Sequence, residues 1–583
     1  MRAADETCQA DRRGVSERAT PRSGRAADVF TGSERILEAA PTAGGPGAVT
    51  YAVLYPNRHA VGMANLGLQT VAGLLAGLPG ALCHRAFTDC NGTLEAGRGL
   101  GEYHVVALTL SFEGDYAEAL RQLATAGIPL RSEQREARDP LVVVGGVAPT
   151  LNPEPLAPFA DAVFLGEAEA GLAALHRFLS EHLHRPRPEL LAALADAALP
   201  GVYVPSRYRV TERGADIERE PLGDAPARVE RTWATLPWSP ARSRILAEND
   251  AFGGAYLLEI GRGCPHACRF CATGYLTRPV RFLPSATLLP WIEAGVAAAR
   301  RIGFVSAAVS NHPELEALFE ATLEAGGGFT VSSFRAESLT PRRLDLLQRG
   351  GLRTLTVALE AGTAELRRSL GKNLDEEQLL HAAALAGEAG LDGLRIYAMV
   401  GLPGERDEDV EALAELGVRA RRALGRGTVT LSVAPFVPKP HTPLQWASMV
   451  AESDLRRRIR LLQSLGRRER GVKVTAETPK GARVQGLISR GGRAVADALE
   501  GVARGGNWRQ VLQGELARQV LDRPWDVEAP LPWGFVGGTP DPVHLKTQYH
   551  AGSAGGAVSP CHPGVCRVCG VCSAEPGNGG ENA

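Results

Sequence analysis

The chain has 583 residues, which is more than a single hydrophobic core usually supports, so we expect roughly two or three domains. Hydrophobic residues make up 44% and charged residues 22% of the chain, and both values are typical of globular proteins. The formal net charge of -1 excludes any strong overall attraction to nucleic acid or to anionic lipid, so such a partner would have to bind at a local site.

The first part of the chain changes character near residue 30. Residues 1–30 show no periodicity and are predicted to be a disordered tail. Over residues 31–184, short apolar runs alternate with segments of helical period, as in VTYAVLYP followed by MANLGLQTVAGLLAGL. This alternation is typical of an α/β fold with a doubly wound (Rossmann-like) parallel sheet, whose ligands bind at the carboxyl ends of the strands.

A second strand series follows a stretch rich in Pro and Arg. Residues 185–250 are predicted to be a linker that wraps onto the next domain. Over residues 251–470, six apolar strands alternate with helical segments, which is too few for an eight-fold barrel and predicts a partial (βα)6 barrel of the TIM type. The predicted strands are AYLLEI, FVSAAVS, FTVSSFR, TLTVALE, LRIYAMV and VTLSVAPF. Residues 471–583 are predicted to form a small carboxyl-terminal extension with a cysteine cluster.

Three cysteines, Cys264, Cys268 and Cys271, lie within eight residues directly after the first barrel strand. Two cysteines could form a redox dithiol and four could close a zinc site, but three leave a metal centre one ligand short, which is typical of a site that activates a bound molecule. No apolar run is long enough to span a bilayer and no secretory signal is evident, so we expect a cytoplasmic protein without a membrane partner. In that reducing compartment, clustered cysteines bind metal rather than form disulfides.

The spacing C-x3-C-x2-C after the first strand of a partial barrel resembles the signature of the radical S-adenosylmethionine (SAM) enzymes. The resemblance implies that three thiolates hold a 4Fe-4S cluster whose fourth iron chelates SAM. It also implies reductive cleavage of SAM to a 5'-deoxyadenosyl radical, with electrons from a reductase, a ferredoxin or a flavodoxin. The alternative is a zinc site completed by His266, but this residue lies inside the loop, where it could hardly converge with all three flanking thiolates.

The resemblance implies roles for residues at the other strand ends. Phe270 matches the aromatic residue that the family places against the adenine, and Ser310 and Asn311 stand where the family usually has Gly-Gly-Glu for the SAM amino group. Further cofactor-contacting positions are Arg335, Glu337, Gly362, Gly401 and Gly404, and the candidate catalytic residues are Glu360 and Arg335. The glycines would let the backbone approach the adenosine. For Glu360, a salt bridge inside the barrel mouth is an equally good interpretation.

The amino-terminal domain resembles the cobalamin-binding domain that precedes many radical SAM barrels. Its NRHAVG segment differs by one residue from the Asp-x-His-x-x-Gly loop that presents a histidine to cobalt. Asn57 supplies a neutral amide where a carboxylate would orient His59, so an ordinary polar role for His59 is the simpler interpretation. Radical SAM enzymes can also hold cobalamin without a protein histidine. Any cobalamin is therefore expected between the sheet and the barrel mouth, by analogy of fold alone.

A basic stretch, DLRRRIRLLQSLGRRERGVK, follows the sixth predicted strand. Leu455, Ile459 and Leu462 recur at helical spacing, which predicts a helix with one packed face and an arginine-rich outer face. Several radical SAM families modify RNA, so the outer face is a candidate RNA contact. It has no aromatic residues on which bases could stack, and a solvated helix face is the simpler interpretation.

A second cysteine cluster near the end of the chain has the spacing C-x4-C-x2-C-x2-C. Its members are Cys561, Cys566, Cys569 and Cys572. Such density is typical of ferredoxin loops, whereas structural zinc more often uses two separated C-x2-C pairs. We therefore predict an auxiliary iron–sulfur cluster, with zinc as the alternative. The surrounding sequence has no apolar periodicity, so a metal is the expected source of order there.

Nearly the whole chain is similar to one uncharacterised group of radical SAM proteins, through segments such as LYPNRHAVGMANLG, FVPKPHTPLQW and CHPGVCRVCGVC. This similarity implies a radical SAM enzyme and leaves the substrate open. The competing reactions are methyl or methylthio transfer to RNA and cobalamin-dependent methylation or rearrangement of a small molecule. A non-catalytic iron–sulfur or zinc protein that binds nucleic acid is the alternative from another class.

Overall fold

The structure is a computed structural model. It describes residues 33–39, 45, 47–213, 216–553, 555–558, 560–563 and 566–573. The tail predicted over residues 1–30 lies outside the described residues. Within the described part of the chain, every helix is too short or too polar to cross a membrane.

The amino-terminal part of the chain forms a six-stranded sheet. Its strands are β1 (Val49–Leu54), β2 (Ala81–Ala86), β3 (Val105–Thr109), β4 (Leu141–Gly145), β5 (Ala162–Phe164) and β6 (Val202–Tyr203). The spatial order is β2-β1-β3-β4-β5-β6, and all pairs are parallel except the last. The order reverses beside β1, which is the position where sheets of this topology bind ligands. The predicted doubly wound domain is thus confirmed.

Helices cover this sheet. They are α1 (Leu66–Ala76), α2 (Tyr116–Thr125), α3 (Leu172–His182) and α4 (Arg187–Asp196), and two shorter helices span His59–Gly62 and Val147–Leu151. Helix α1 begins where the Asn65 side chain accepts a 2.9 Å hydrogen bond from the backbone N–H of Leu68, which satisfies a donor of the first turn. Helices α1 and α3 contact each other and β1.

The predicted linker is ordered and ties three parts of the chain together. Besides α4 and β6, it contains a hairpin of Tyr208–Arg213 and Asp216–Pro221. Further along, Val229–Glu230 pairs with Val536–Gly537 of the carboxyl-terminal extension, and Ile245–Ala247 pairs with Glu34–Ile36 near the start of the described chain. These long-range pairings hold the segment against both neighbouring domains.

The barrel has seven strands. They are β7 (Tyr256–Glu259), β8 (Arg301–Val305), β9 (Gly328–Thr330), β10 (Thr354–Glu360), β11 (Gly393–Val400), β12 (Thr428–Pro435) and β13 (Val472–Ala476). Parallel pairing joins β7-β8-β9 and β10-β11-β12-β13, and an isolated bridge between Phe334 and Val357 connects the two groups. Among the described residues no pairing joins β13 to β7, so the barrel is partial, as predicted. Strand β13 is the one that the sequence did not reveal.

Helices alternate with the barrel strands and continue into the extension. They are α5 (Ser285–Ala299), α6 (Leu315–Glu324), α7 (Pro341–Arg349), α8 (Glu376–Glu388), α9 (Asp407–Leu424), α10 (Glu452–Gly466), α11 (Pro479–Arg490), α12 (Val495–Ala503), α13 (Trp508–Gln513), α14 (Glu515–Leu521) and α15 (Pro542–Ser553), with short helices at Thr273–Leu276 and Ala364–Ser369. The barrel has its own hydrophobic core, whereas residues of α11, α12 and α14 share the core of the amino-terminal sheet. The extension therefore packs as part of the amino-terminal domain.

Candidate functional site

The loop with the first three cysteines leaves the carboxyl end of β7 and is pinned at its base. Gly261 and Arg262 pair with Phe282 and Arg281 in a two-residue antiparallel ladder that closes the loop. Gly263 has φ +82°, and a Cβ there would lie 2.7 Å from the carbonyl oxygen of Thr277. A side chain at this position would clash with the loop it begins, so only glycine fits.

The three thiols lie in a largely buried environment. Burial raises the pKa of Cys268 to about 11, against the opposing effect of the Lys372 ammonium. The backbone N–H of His266 hydrogen-bonds Cys264, and the N–H groups of Gly274 and Thr273 hydrogen-bond Cys271. Amide donors to sulfur favour thiolates and tune the potential of a cluster, so this environment suits an iron–sulfur site.

Charged residues at and after the ends of the third and fourth barrel strands lie near the thiols. Lys372 and Arg335 both favour ionisation of Cys264 and Cys268. Lys372 Nζ lies 3.5 Å from Glu360 Oε1, so the salt bridge considered for Glu360 is present. Glu360 has φ +79°, a conformation that strains a residue with a side chain and is common at functional sites. Sequence reasoning missed Lys372, although it lies in the segment that follows the fourth strand.

Ser310 and Asn311, which were expected at the carboxyl end of β8, lie several residues beyond it. The strand ends at Val305, so Ser306 stands directly at its carboxyl end and lines the cavity described below. The predicted Ser310 and Asn311 lie further on, in a turn formed by Val309–Asn311. Asn311 Oδ1 is 3.1 Å from Nε2 of His266. Burial, and to a smaller extent the charge of Arg335, lowers the pKa of His266 to about 4. Because His266 is neutral and bonded to Asn311, it links this turn to the cysteine loop.

Phe270, Arg335 and Glu337 are predicted contacts whose neighbours are protein side chains in this structure. Phe270 packs against an apolar cluster that includes Leu402 and Phe436 at the barrel mouth. Arg335 and Glu337 form an ion pair.

Close packing within the protein requires glycine at two of the three positions where glycines were predicted to contact the cofactor. A Cβ at Gly362 would overlap the Asp409 carbonyl of α9, and one at Gly401 would overlap Leu455 of α10. At Gly404 a Cβ would meet open space among the described atoms, and its φ is +78°. Close packing thus explains why Gly362 and Gly401 are glycines, without any contact to a ligand.

An arginine cluster joins the amino-terminal domain to the cysteine loop. The guanidinium of Arg262 donates to Glu167 at 2.7 Å, to Glu169 at 2.6 Å and to Glu259 at 2.7 Å. Arg281 donates a further 2.7 Å bond to Glu167. Burial would raise the pKa of Glu167, but the two arginines outweigh it and hold that pKa below its usual value. The base of the cysteine loop is therefore fixed to the loop after β5.

The carboxyl-terminal cysteines lie against the first cysteine loop. The backbone N–H of Cys561 donates a 2.7 Å hydrogen bond to the carbonyl of Pro265, and that of Asp541 donates at 2.9 Å to Cys569. Burial raises the pKa of Cys561, whereas the nearby Arg278 cation lowers it. Among the described residues, no group of three or more His, Cys, Asp or Glu is arranged around a single metal ion.

A cavity of about 900 Å³ extends from the amino-terminal sheet into the barrel. On one side its wall is the sheet face and helices α1 and α3. On the other side lie polar residues of the barrel interior, including Ser306, Thr330, Ser332, Ser333, Thr356 and Tyr397. Val143 and Gly145, two residues apart in β4, both face the cavity. The cavity thus joins the position where doubly wound sheets bind ligands to the barrel interior.

His59 lies outside the described lining of this cavity and has a different partner from the one expected. Its Nε2 is 2.7 Å from Oε1 of Glu34, and the same carboxylate accepts a 2.7 Å bond from Arg85. The Asn57 side chain accepts instead from the backbone N–H of Arg58. A carboxylate does orient the imidazole, but it comes from an earlier segment of the chain.

The basic helix α10 has the predicted amphipathic form. Leu455, Ile459 and Leu462 are buried. On the outer face, Arg456 pairs with Glu452 and Arg457 pairs with Asp407. These ion pairs offset part of the positive charge that an RNA contact would use.

A loop with three cysteines thus lies at the mouth of a partial barrel. The chain belongs to the radical SAM superfamily: residues 258–417 match the model of that superfamily, and residues 67–205 match the model of the amino-terminal region of radical SAM proteins. The predicted family and enzyme class are therefore confirmed. The family implies a 4Fe-4S cluster and SAM as cofactors.

A relative in Methanocaldococcus jannaschii is 27% identical over 456 residues, which cover 77% of this chain and 90% of that protein. That relative is an uncharacterised protein. The similarity extends well beyond the barrel and leaves the reaction open.

Solved structures show weaker similarity. The cobalamin-dependent radical SAM enzyme OxsB, with aqua-cobalamin and SAM bound, is 18% identical with a TM-score of 0.46, over 64% of this chain and 52% of that one. SuiB of Streptococcus suis, bound to SAM, is 16% identical with a TM-score of 0.30, over 38% of this chain and 50% of that one. This chain thus spans about half the length of each. Neither similarity is strong enough to transfer an activity.

Proposed function

We propose that the protein combines radical SAM chemistry with a corrinoid held in the interdomain cavity, and that it methylates or rearranges a small molecule. The observation that supports this best is the cavity, which joins the ligand-binding end of the amino-terminal sheet to the barrel interior. When bound, the cluster and SAM supply a carbon radical and a corrinoid supplies cobalt chemistry, neither of which amino-acid side chains provide.

The protein's own residues would bind and orient these groups. The thiols of Cys264, Cys268 and Cys271 would hold three irons, and backbone N–H groups donate to the sulfurs of Cys264 and Cys271. Lys372 and Arg335 would offset the negative charge of thiolates. The apolar cluster around Phe270 would exclude water from the adenosine.

The corrinoid part of the proposal rests on the shape of the cavity. Tyr51, Val71, Leu175 and Leu179 make a deep, mainly apolar slot between the sheet and helices α1 and α3. Such a slot suits a large ligand with apolar parts. Because His59 lies outside the described lining, we propose that the corrinoid is held without a protein histidine.

A size series at Gly145 tests the corrinoid site. A Cβ at this position would lie 3.7 Å from the nearest atoms of Phe164, an ordinary contact, so Gly145→Ala should fold normally. Gly145→Leu would project a larger side chain into the slot. After reconstitution with hydroxocobalamin and gel filtration, we expect the wild type and Gly145→Ala to retain corrinoid and Gly145→Leu to lose it, with equal iron contents. A wild type that retains none, or a Gly145→Leu variant that retains the full amount, would contradict the proposal.

We also propose that the carboxyl-terminal cysteines hold an auxiliary iron–sulfur cluster. Arg278, whose Nη2 has no partner among the described groups, lies near Cys561 and favours its thiolate. The hydrogen bond from the backbone N–H of Cys561 to the carbonyl of Pro265 supports a position for this cluster beside the first one, as electron relay would need.

A further inference from the structure

Arg490, the last residue of α11, is completely buried in the carboxyl-terminal extension (0% exposed). Its guanidinium lies over the ring of Trp525, with Cζ 4.4 Å from the ring centre. Nε, Nη1 and Nη2 all lack a hydrogen-bond partner among the described residues. Burial lowers the pKa of Arg490 to about 9, which reflects how poorly its charge is compensated. A guanidinium carries five donors and no acceptor, so this side chain lacks an acceptor-rich partner.

Two indole groups, that of Trp525 under Arg490 and that of the neighbouring Trp446, lack acceptors as well. Nε1 of Trp525 and Nε1 of Trp446 have no partner within the described part of the chain. The two residues are linked, because the backbone N–H of Trp525 donates a 2.8 Å bond to the carbonyl of Trp446. A third indole in the cluster, Trp533, donates to Gln445 at 2.8 Å. The unpaired groups are all donors.

The backbone on both sides of Arg490 is held in place. The side-chain amide of Asn152, from the loop after β4, donates to the carbonyl of Ser489 at 3.1 Å and to that of Gly491 at 2.7 Å. These two bonds connect the amino-terminal domain to the residues that flank Arg490. The backbone that carries Arg490 is thus tied to the amino-terminal domain.

The cluster lies next to the barrel mouth. Tyr549 of α15 contacts Trp446, with ring centres 5.6 Å apart. The same tyrosine packs against the apolar cluster that contains Phe270. A ligand group held by Arg490 would therefore be separated by a single aromatic layer from the place where we expect the adenosine.

We propose that Arg490, together with the indole N–H groups of Trp525 and Trp446, binds an oxyanion, namely a carboxylate or phosphate group of the small-molecule substrate. The proposal deepens the proposed function and rests on it for the assignment of the ligand as the substrate. A donor-only site selects an acceptor, and the planar fork of a guanidinium matches the oxygens of carboxylate and phosphate. Aromatic walls exclude water and strengthen the contact.

Thermal unfolding and calorimetry with simple anions test the site. Anaerobically reconstituted protein is titrated with inorganic phosphate or acetate at constant ionic strength, with chloride as the reference salt. We expect one of the two oxyanions to raise the melting temperature of the wild type, because a ligand that binds only the folded state stabilises it. The choice between phosphate and acetate identifies the anion class. Arg490→Met should weaken this binding at least about thirtyfold.

Arg483, two turns earlier on α11, provides a matched control. It is also buried, but it donates to Asp522 at 2.6 Å and to the carbonyl of Val450 at 3.2 Å. Arg483→Met should lower the melting temperature and keep the anion response. Arg490→Met should leave the ligand-free melting temperature equal or higher, because it removes an uncompensated buried charge.

A wild type without an anion response would overturn the proposal. An Arg490→Met variant that keeps the wild-type response would also overturn it. The assay uses no SAM and no corrinoid, so its failure is distinguishable from failure of SAM cleavage or of corrinoid retention, on which the proposed function depends.

Discussion

Arg262 holds the cysteine loop against the amino-terminal domain, and its removal should be strongly destabilising. The side chain is 14% exposed and bonds three carboxylates, those of Glu167, Glu169 and Glu259, that are 13–17% exposed. In Arg262→Met, Arg281 alone would compensate the negative charge of Glu167. Breaking a buried ion pair costs about 3–5 kcal/mol, and partial exposure favours the lower value, about 3 kcal/mol.

This loss should lower the melting temperature by an amount on the order of 6–12 °C, if the barrel unfolds as a unit of 150–250 residues. Anaerobic thermal unfolding followed by circular dichroism measures it. The iron content should fall as well, because the ladder at the base of the cysteine loop includes Arg262. Arg342, which also contacts two carboxylates but is 67% exposed, is the control, and Arg342→Met should change little. An Arg262→Met variant with wild-type melting and iron content would refute this account of the loop.

Three further outcomes follow from buried contacts. Burial would raise the pKa of Glu113, but Lys439 and the hydrogen bonds that Glu113 accepts hold this pKa below its usual value. The resulting stability is present above pH 4.5 and is lost as the pH falls below it. Lys439→Met should therefore make the melting temperature depend less on pH when the pH is lowered from about 7 into the acid range. His59→Ala should lower the melting temperature, because it removes a hydrogen bond to the Glu34 carboxylate that Arg85 also contacts, and should leave corrinoid retention intact. Metal analysis of a variant without the first three cluster cysteines should find residual iron and sulfide from residues 561–572, and stoichiometric zinc without iron would contradict the auxiliary cluster.

Local patterns in the sequence predicted much of the architecture. The alternation of apolar strands with helical segments indicated both α/β domains, and the spacing of Leu455, Ile459 and Leu462 indicated the buried face of α10. The cysteine spacing indicated the family. Each of these signals lies within a short window of the chain, where strand and helix periods determine which side chains share a face.

Contacts between distant segments could not be predicted from local sequence patterns. The Glu34 carboxylate reaches His59 only through the pairing of Glu34–Ile36 with Ile245–Ala247. Lys372 reaches the thiols because the chain turns back after the fourth strand, and strand β13 is too polar to stand out from its surroundings. No local pattern places Cys561 on Pro265 or gathers the partnerless donors around Arg490. Such contacts depend on how whole domains pack, which periodicity does not encode.

Radical SAM chemistry at the first cysteine loop is the central claim, and anaerobic SAM cleavage tests it most directly. Protein reconstituted with iron and sulfide and given a strong reductant should release 5'-deoxyadenosine and methionine from SAM. Changing Cys264, Cys268 or Cys271 to Ala should abolish the product, since each thiolate holds one iron. Cys90→Ala, at a thiol outside both clusters, should cleave SAM like the wild type. Unchanged release of 5'-deoxyadenosine by the triple cysteine variant would contradict the account.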